Sequence, residues 1–256
     1  MYEGLTVGAV IPARDEADNI GAVVGGLLEL RAESGQRVID DLVVCDNGSK
    51  DSTAQRARGA GARVVVEDTP GYGIACLTAL AALRPVDVVL FADGDRSCEA
   101  GQALDLLRAI AGGADMVVGS RALGRMEPGA LSAPQIAGNR VASVLIRLLW
   151  GKTVTDLGPF RAIRADALRR LDMRDTAYGW TVEMQVKAIQ MNLRLVETPV
   201  DSLRRRFGRS KVGGTIRGVM GASAGILGMI FRLRCRRTAP LARNREHADS
   251  GNETGA

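Results

Sequence analysis

Short unbroken apolar runs recur along the first 120 or so residues, each followed by a stretch in which apolar side chains return every three or four positions. Leu5 to Ile11 reads as a buried strand. Ile20, Val23, Val24, Leu27 and Leu28 then share one helical face behind Asp18, a capping residue. Leu42 to Cys45 is a second strand, Ser52 to Gly59 a short helix and Arg63 to Val66 a third strand. Gly73 to Leu83 is helical, Val86 to Ala92 is a fourth strand, and Ala100 to Ala111 is a helix with Ala103, Leu106, Leu107 and Ile110 on its apolar side. Met116 to Val118 is the fifth strand. Repeated strand–helix units with nearly continuous apolar strands predict an α/β fold, a mostly parallel sheet with helices on both faces.

The second half is less regular. Pro134 to Trp150 reads as an amphipathic helix, Phe160 to Arg164 as a strand, Asp166 to Leu171 and Thr181 to Met191 as helices, and Arg194 to Thr198 as a last strand. No stretch rich in Pro, Gly or Ser divides the halves, so residues 1–211 read as one domain, with a nucleotide-type half to about residue 120 and a substrate-completing half from 121 to 211. Gly218 to Phe231 is the longest apolar run, roughly 21 Å as a helix against a hydrocarbon core of about 30 Å, so it is too short to span a bilayer. Arg217 precedes it and Arg232, Arg234, Arg236 and Arg237 follow it. Residues 212–237 therefore read as a basic amphipathic helix that lies in a membrane surface, packs on the domain or joins a homodimer. From Thr238 to Ala256 periodicity and hydrophobicity are lost, which predicts a disordered tail.

Composition narrows the partners. The net charge of +5 comes almost entirely from arginines clustered late in the chain, favouring an anionic partner. Aromatic residues are only 4% and do not interleave with the arginines, which argues against nucleic acid. The four cysteines lie far apart, so neither a zinc site nor a disulfide framework is indicated and a reducing, cytoplasmic setting is expected. The N-terminus lacks the pattern of a secretory signal. The single histidine, His247, falls in the predicted tail, which removes a Ser-His-Asp arrangement.

The chemistry is carried by "FADGDRS", Phe91 to Ser97. Ligands of open α/β sheets bind at the carboxyl ends of the strands, where Asp93 and Asp95 fall. Residues two apart in an extended segment point to one side, so both carboxylates can face one ligand. Two hard oxygen donors beside a phosphate-bearing substrate suit Mg²⁺ or Mn²⁺. Asp-Gly is also an ordinary turn dipeptide, and position decides between the two readings. "PARDEADN" after the first strand and "CDNGSKDST" around the end of the second add two more acidic loops at the same sheet edge. Together they outline a nucleotide pocket, with the glycines of "GYG", Gly71 to Gly73, able to approach a ligand with bare backbone.

From about Val7 to Lys211 the chain resembles family 2 glycosyltransferases of the glycosyltransferase A fold, especially catalytic domains similar to dolichyl-phosphate mannose and glucose synthases. The resemblance rests on "IPARDEADNI", "VVCDNGSKDST", "FADGDRS", "DMVVGSR", "TDLGPFRAI", "YGWTVEMQ" and "ETPV…RRRFGRSK", in that order. It implies that Pro12, Arg14, Glu16 and Asp46 line a nucleoside pocket with Gly73 nearby. It also implies that Asp93 and Asp95 hold the metal on the donor diphosphate, that Arg121 and Arg140 face the acceptor, and that Arg209, Ser210 and Lys211 close over the donor phosphates. Tyr72 stands where many relatives carry lysine, and "DGDRSC" lacks the acidic or amide residue that often follows the aspartate pair.

The expected reaction is metal-dependent, inverting transfer of a hexose from UDP-glucose or GDP-mannose to a polyprenyl phosphate at the inner membrane face. A phosphate acceptor is already ionised and needs no base. Transfer to a soluble hydroxyl acceptor would need one, and Glu183, beside Trp180, and Asp156 are the candidates. Nucleotidyl transfer is a further alternative, disfavoured because "PARDEADN" is not a Gly-rich phosphate loop.

Overall fold

The computed structural model describes residues 1–208 and the helix 216–235, with side chains from 221 onward except 222. The elements run β1 (Val7–Ala13), α1 (Ala17–Leu28), β2 (Asp41–Asp46), α2 (Thr53–Gly59), β3 (Arg63–Val66), α3 (Tyr72–Ala82), β4 (Val88–Phe91), α4 (Ala103–Ala111) and β5 (Met116–Ser120). They continue with α5 (Ala133–Trp150), β6 (Arg161–Arg164), α6 (Ala165–Leu171), α7 (Trp180–Gln190), β7 (Leu195–Pro199) and α8 (Ile216–Cys235). A 3₁₀ turn at Ala100–Gln102 leads into α4.

The seven strands form one sheet in the order β3-β2-β1-β4-β6-β5-β7. All neighbours are parallel except β6, which runs antiparallel to both β4 and β5. The mostly parallel sheet expected from sequence is present, with one reversed strand inside it. Pattern alone cannot show that reversal, because "RAIR" reads as a short buried strand in either direction. The order reverses at β1, whose neighbours are β2 and β4, so the carboxyl ends of β1 and β4 border the crevice where this class of sheet binds ligands.

The period of two along β1 divides the core. Val7, Ala9 and Ile11 pack with Ile20 and Val24 of α1 and with Leu106, Leu107 and Ile110 of α4. Val10 points to the other face, among Cys76 and Ala79 of α3, Leu171 of α6 and Trp180 of α7. Phe91 meets Trp180 edge to face at 6.2 Å, an arrangement contributing about 0.5–1.5 kcal/mol beyond simple burial. A third cluster joins Ala142 and Ile146 of α5, Val182 and Val186 of α7, and Met229, Ile230 and Leu233 of α8.

Helix α8 therefore packs on the domain along one face. The packed alternative for the basic helix holds for that face, while Phe231, Arg232 and Arg234 on α8 remain exposed. Among the described residues no helix is long and apolar enough to cross a membrane. The tail expected beyond Thr238 lies outside the described residues.

Candidate active site

A cavity of about 900 Å³ opens at the carboxyl ends of β1 and β4. Pro12, Ala13, Arg14 and Glu16 line it from the β1 loop, Asp93, Gly94, Asp95 and Ser97 from the β4 loop, and Arg121 from the end of β5. Both inner loops contain a non-glycine residue in the left-handed region, Asp15 at φ 47° and Arg96 at φ 60°. Such backbone persists only where neighbours fix it. Asp15 is fixed by Ser49 Oγ, which accepts from its backbone N–H, and by its own carboxylate, which accepts from Lys50 N–H. Asp95 Oδ1 accepts from Ser97 N–H and closes the turn around Arg96.

Asp93 accepts a hydrogen bond from the Tyr72 hydroxyl at 3.0 Å. Burial, reinforced by the neighbouring Asp95 carboxylate, pushes Asp93 up to about 7. Asp95 faces a cation: Arg205 Nη2 lies 2.6 Å from Asp95 Oδ2, and Arg205 Nη1 lies 2.6 Å from Glu16 Oε1. One guanidinium in the cavity lining thus ties the β1 loop to the β4 loop.

Arg121 is held on the opposite wall. Its backbone N–H and Nε donate to Asp156 Oδ2 and its Nη2 donates to Oδ1, all within 2.8 Å. Asp156 is 1% exposed and does not line the cavity. Its loop is itself fixed: the Glu197 carboxylate accepts from the N–H groups of Thr155 and Asp156, Asn139 bonds Thr155 O and Leu157 N, and Gln185 donates to Asp156 O.

The first turn of α3 carries Tyr72. The N–H groups of Gly73 and Ile74 are taken up by the chain itself, Gly73 N donating to Ala177 O and Ile74 N to Thr176 O. The approach is so close that a Cβ on Gly73 would lie 2.0 Å from Asp175 O. Glu183 sets this contact by accepting from the N–H groups of Arg174 and Asp175, while pairing with Lys187 Nζ at 2.7 Å. A chain of contacts therefore runs from Glu183 through residues 174–177 to α3, Tyr72 and Asp93.

Glycosyl transferase family 2 is the family model that the sequence matches, over residues 9–172. The chain belongs to that family. It is 37% identical over 218 residues to a glycosyltransferase of Mycobacterium tuberculosis, covering 84% of this chain and 93% of that one. It is 31% identical over 219 residues to an undecaprenyl-phosphate mannosyltransferase of Micrococcus luteus, covering 82% and 88%. Among solved structures, glucosyl-3-phosphoglycerate synthase of Mycobacterium tuberculosis, in complex with Mn²⁺, UDP and phosphoglyceric acid, superposes with a TM-score of 0.71 at 22% identity, over 91% of this chain and 79% of that one. That likeness shows the shared glycosyltransferase A fold.

The glycosyltransferase cavity gathers Pro12, Arg14, Glu16, Asp93, Asp95 and Arg121 from the residues singled out in the sequence. Five others sit elsewhere. Asp46 accepts from Ser49 N–H and from the Ser49 hydroxyl, and its neighbour Asn47 takes its place in the lining. Gly73 faces the 175–177 backbone rather than a ligand, and only Gly71 and Tyr72 of "GYG" reach the cavity. Arg140 is on an exposed face of α5. Asp156 and Glu183 are committed to the ion pairs described above, so neither carboxylate is placed as a base in the cavity. Arg209, Ser210 and Lys211 lie outside the described residues. Gly94 is small for a packing reason as well, since a Cβ there would lie 3.2 Å from Ala13 Cβ and Ile20 Cδ1.

Sequence reasoning missed Arg205 and the hydroxyl of Tyr72. Arg205 was hidden in a basic run where no pattern marks which arginine turns inward. For a metal, the described residues contain no group of three or more His, Cys, Asp or Glu side chains able to hold one. Asp93 and Asp95 would suit a hard divalent cation if its remaining oxygen ligands were supplied by a diphosphate and water. The guanidinium on Asp95 shows that this carboxylate already attracts positive charge. Arg205→Gln is therefore expected to tighten Mn²⁺ binding to the nucleotide-free protein about fivefold, the worth of one partly exposed ion pair near 1 kcal/mol, as read by titration calorimetry. Unchanged affinity would mean that Arg205 and the cation do not compete for Asp95.

Proposed function

We propose that this glycosyltransferase moves a hexose from a nucleotide sugar to a polyprenyl phosphate, with inversion at the anomeric carbon. The observation that carries the acceptor class is the absence of an available base. The carboxylates lining the cavity among the described residues are Glu16, Asp93 and Asp95, and on this reading all three serve the donor. Glu183 and Asp156, which a hydroxyl acceptor would need, are bound into ion pairs. A phosphate monoester, with a second pKa near 6, attacks without losing a proton to the protein. The likeness to an undecaprenyl-phosphate mannosyltransferase over most of both chains supports the same class.

The roles follow from position. Pro12, Arg14 and Asn47 border the nucleoside end, with the donor diphosphate toward Asp93 and Asp95. A divalent cation there supplies charge neutralisation for the leaving diphosphate. Tyr72 keeps Asp93 oriented by donating to its Oδ1. Arg121, locked by Asp156, presents a cation to the acceptor phosphate and holds it opposite the departing group. Arg204 adds positive charge to the lining, while the Arg205 guanidinium is paired with Glu16 and Asp95.

The test is release of nucleoside diphosphate from UDP-glucose and from GDP-mannose with Mg²⁺ or Mn²⁺, with and without a short, water-soluble prenyl phosphate. Release that requires the prenyl phosphate names the donor and supports the reading. Metal-dependent donor hydrolysis that the prenyl phosphate leaves unchanged would overturn it and favour a hydroxyl acceptor, the alternative for which a phosphoglyceric acid complex of the same fold is a precedent.

A further inference from the structure

Helices α5 and α8 pack against each other and against α7, and each turns its other side to solvent. On α5 beyond its first turn the exposed apolar residues are Ala137, Val141, Val144 and Leu148. At 100° per residue they fall within an arc of about 60°, so they form one stripe. Leu148 is 75% exposed, more than any other large hydrophobic side chain among the described residues. Arg140 and Arg147, both exposed, follow one flank of the stripe. On α8 the exposed Phe231 is followed by exposed Arg232 and Arg234. Neither helix contains a single Asp or Glu along its 18 or 20 residues.

We propose that the exposed face of α5 and α8 is a docking surface for an anionic phospholipid bilayer, which α5 holds at a fixed distance from the active-site cavity. The charge pattern decides between a bilayer and a second copy of the chain. An isologous dimer would set arginines against arginines with no carboxylate on either helix to answer them, which is unfavourable. An anionic surface answers all of them, and the shallow apolar stripe suits the headgroup boundary rather than a dry interface. The proposal rests on the prenyl-phosphate reading in one respect: an acceptor held in lipid requires the cavity to sit beside the bilayer. Helix α5 provides the connection. Ser132, at its N-terminus, and Gln135, in its first turn, line the cavity, and the stripe extends from about 8 to 24 Å beyond Ser132 along the helix axis.

The experiment is co-sedimentation of the full chain with vesicles of phosphatidylglycerol and phosphatidylcholine, and with vesicles of phosphatidylcholine alone, neither containing a prenyl phosphate. The protein is expected to partition to the anionic vesicles and to be released by salt. Val144→Glu with Leu148→Glu, and separately Arg147→Glu, are expected to lower that partition by about tenfold or more. Both variants change exposed side chains outside the cavity, so nucleoside diphosphate release with a water-soluble acceptor should stay at the wild-type rate. That second readout separates failure of the surface from failure of the acceptor reading. Failure to bind anionic vesicles, binding that the variants leave unchanged, or a concentration-dependent dimer that Leu148→Glu dissolves without any vesicle binding would each overturn the proposal.

Discussion

Asp95→Asn is expected to lower hexose transfer by about a thousandfold while leaving the far-UV circular dichroism and melting temperature close to wild type. The substitution keeps the shape of the side chain and its hydrogen bond to Ser97 N–H, so the β4 loop retains its turn. It removes one of the two carboxylates that would neutralise a divalent cation on the donor diphosphate. Arg205 keeps its second partner, Glu16, and remains in place. Calorimetry with Mn²⁺ and the nucleoside diphosphate should show the metal-dependent part of binding disappear. Retention of full turnover would remove Asp95 from the catalytic assignment altogether.

The second large effect falls on stability. Asp156→Ala is expected to cost about 3 kcal/mol or more, and to lower the melting temperature by about 6–12 °C. The carboxylate is buried and accepts three hydrogen bonds from one arginine, so its removal strands a guanidinium and a backbone N–H that were paired. Asp156→Asn separates positioning from base catalysis. An amide still accepts from Arg121 and keeps part of the stability, whereas it cannot take a proton. If Asp156 only positions Arg121, the Asn variant raises KM for the phosphate acceptor, leaves metal-dependent donor binding unchanged and preserves the shape of the pH profile. A collapse of kcat with a flattened pH profile and an unchanged melting temperature would instead assign Asp156 as the base.

The fold was legible wherever burial was continuous. Strands β1 and β2 are buried at every position, and an unbroken apolar run of strand length between turn residues has few other readings. The aspartate pair was legible for a related reason: two acids immediately after such a run must sit at a sheet edge. The acids of the second half were not. Glu183 and Asp156 stand in sequences that suit a cavity wall as well as an ion pair. Lys187 lies one helical turn from Glu183, a pairing that the helix alone allows, whereas only the fold brings Arg121 to Asp156 across 35 residues. The glycines of "GYG" illustrate the same limit. Both are required by close backbone, but the backbone is that of residues 175 and 176, which no local pattern near residue 72 could announce.

The reversed strand β6 has a consequence for how such proteins change over time. Strand β4, whose loop carries the aspartate pair, has its outer edge covered by Arg161–Arg164 from the second half of the chain. The helix that orients Asp93 is stitched to residues 176 and 177 of that same half. A crossover near residue 120 that exchanged the donor-binding half for a relative's would set a foreign β4 edge against β6 and a foreign first turn of α3 against residues 176 and 177, two contacts whose sides had not changed together. The two halves are interleaved rather than modular. New pairings of sugar and acceptor must then arise by substitution around the rim of one cavity, residue by residue, and not by shuffling ready-made parts.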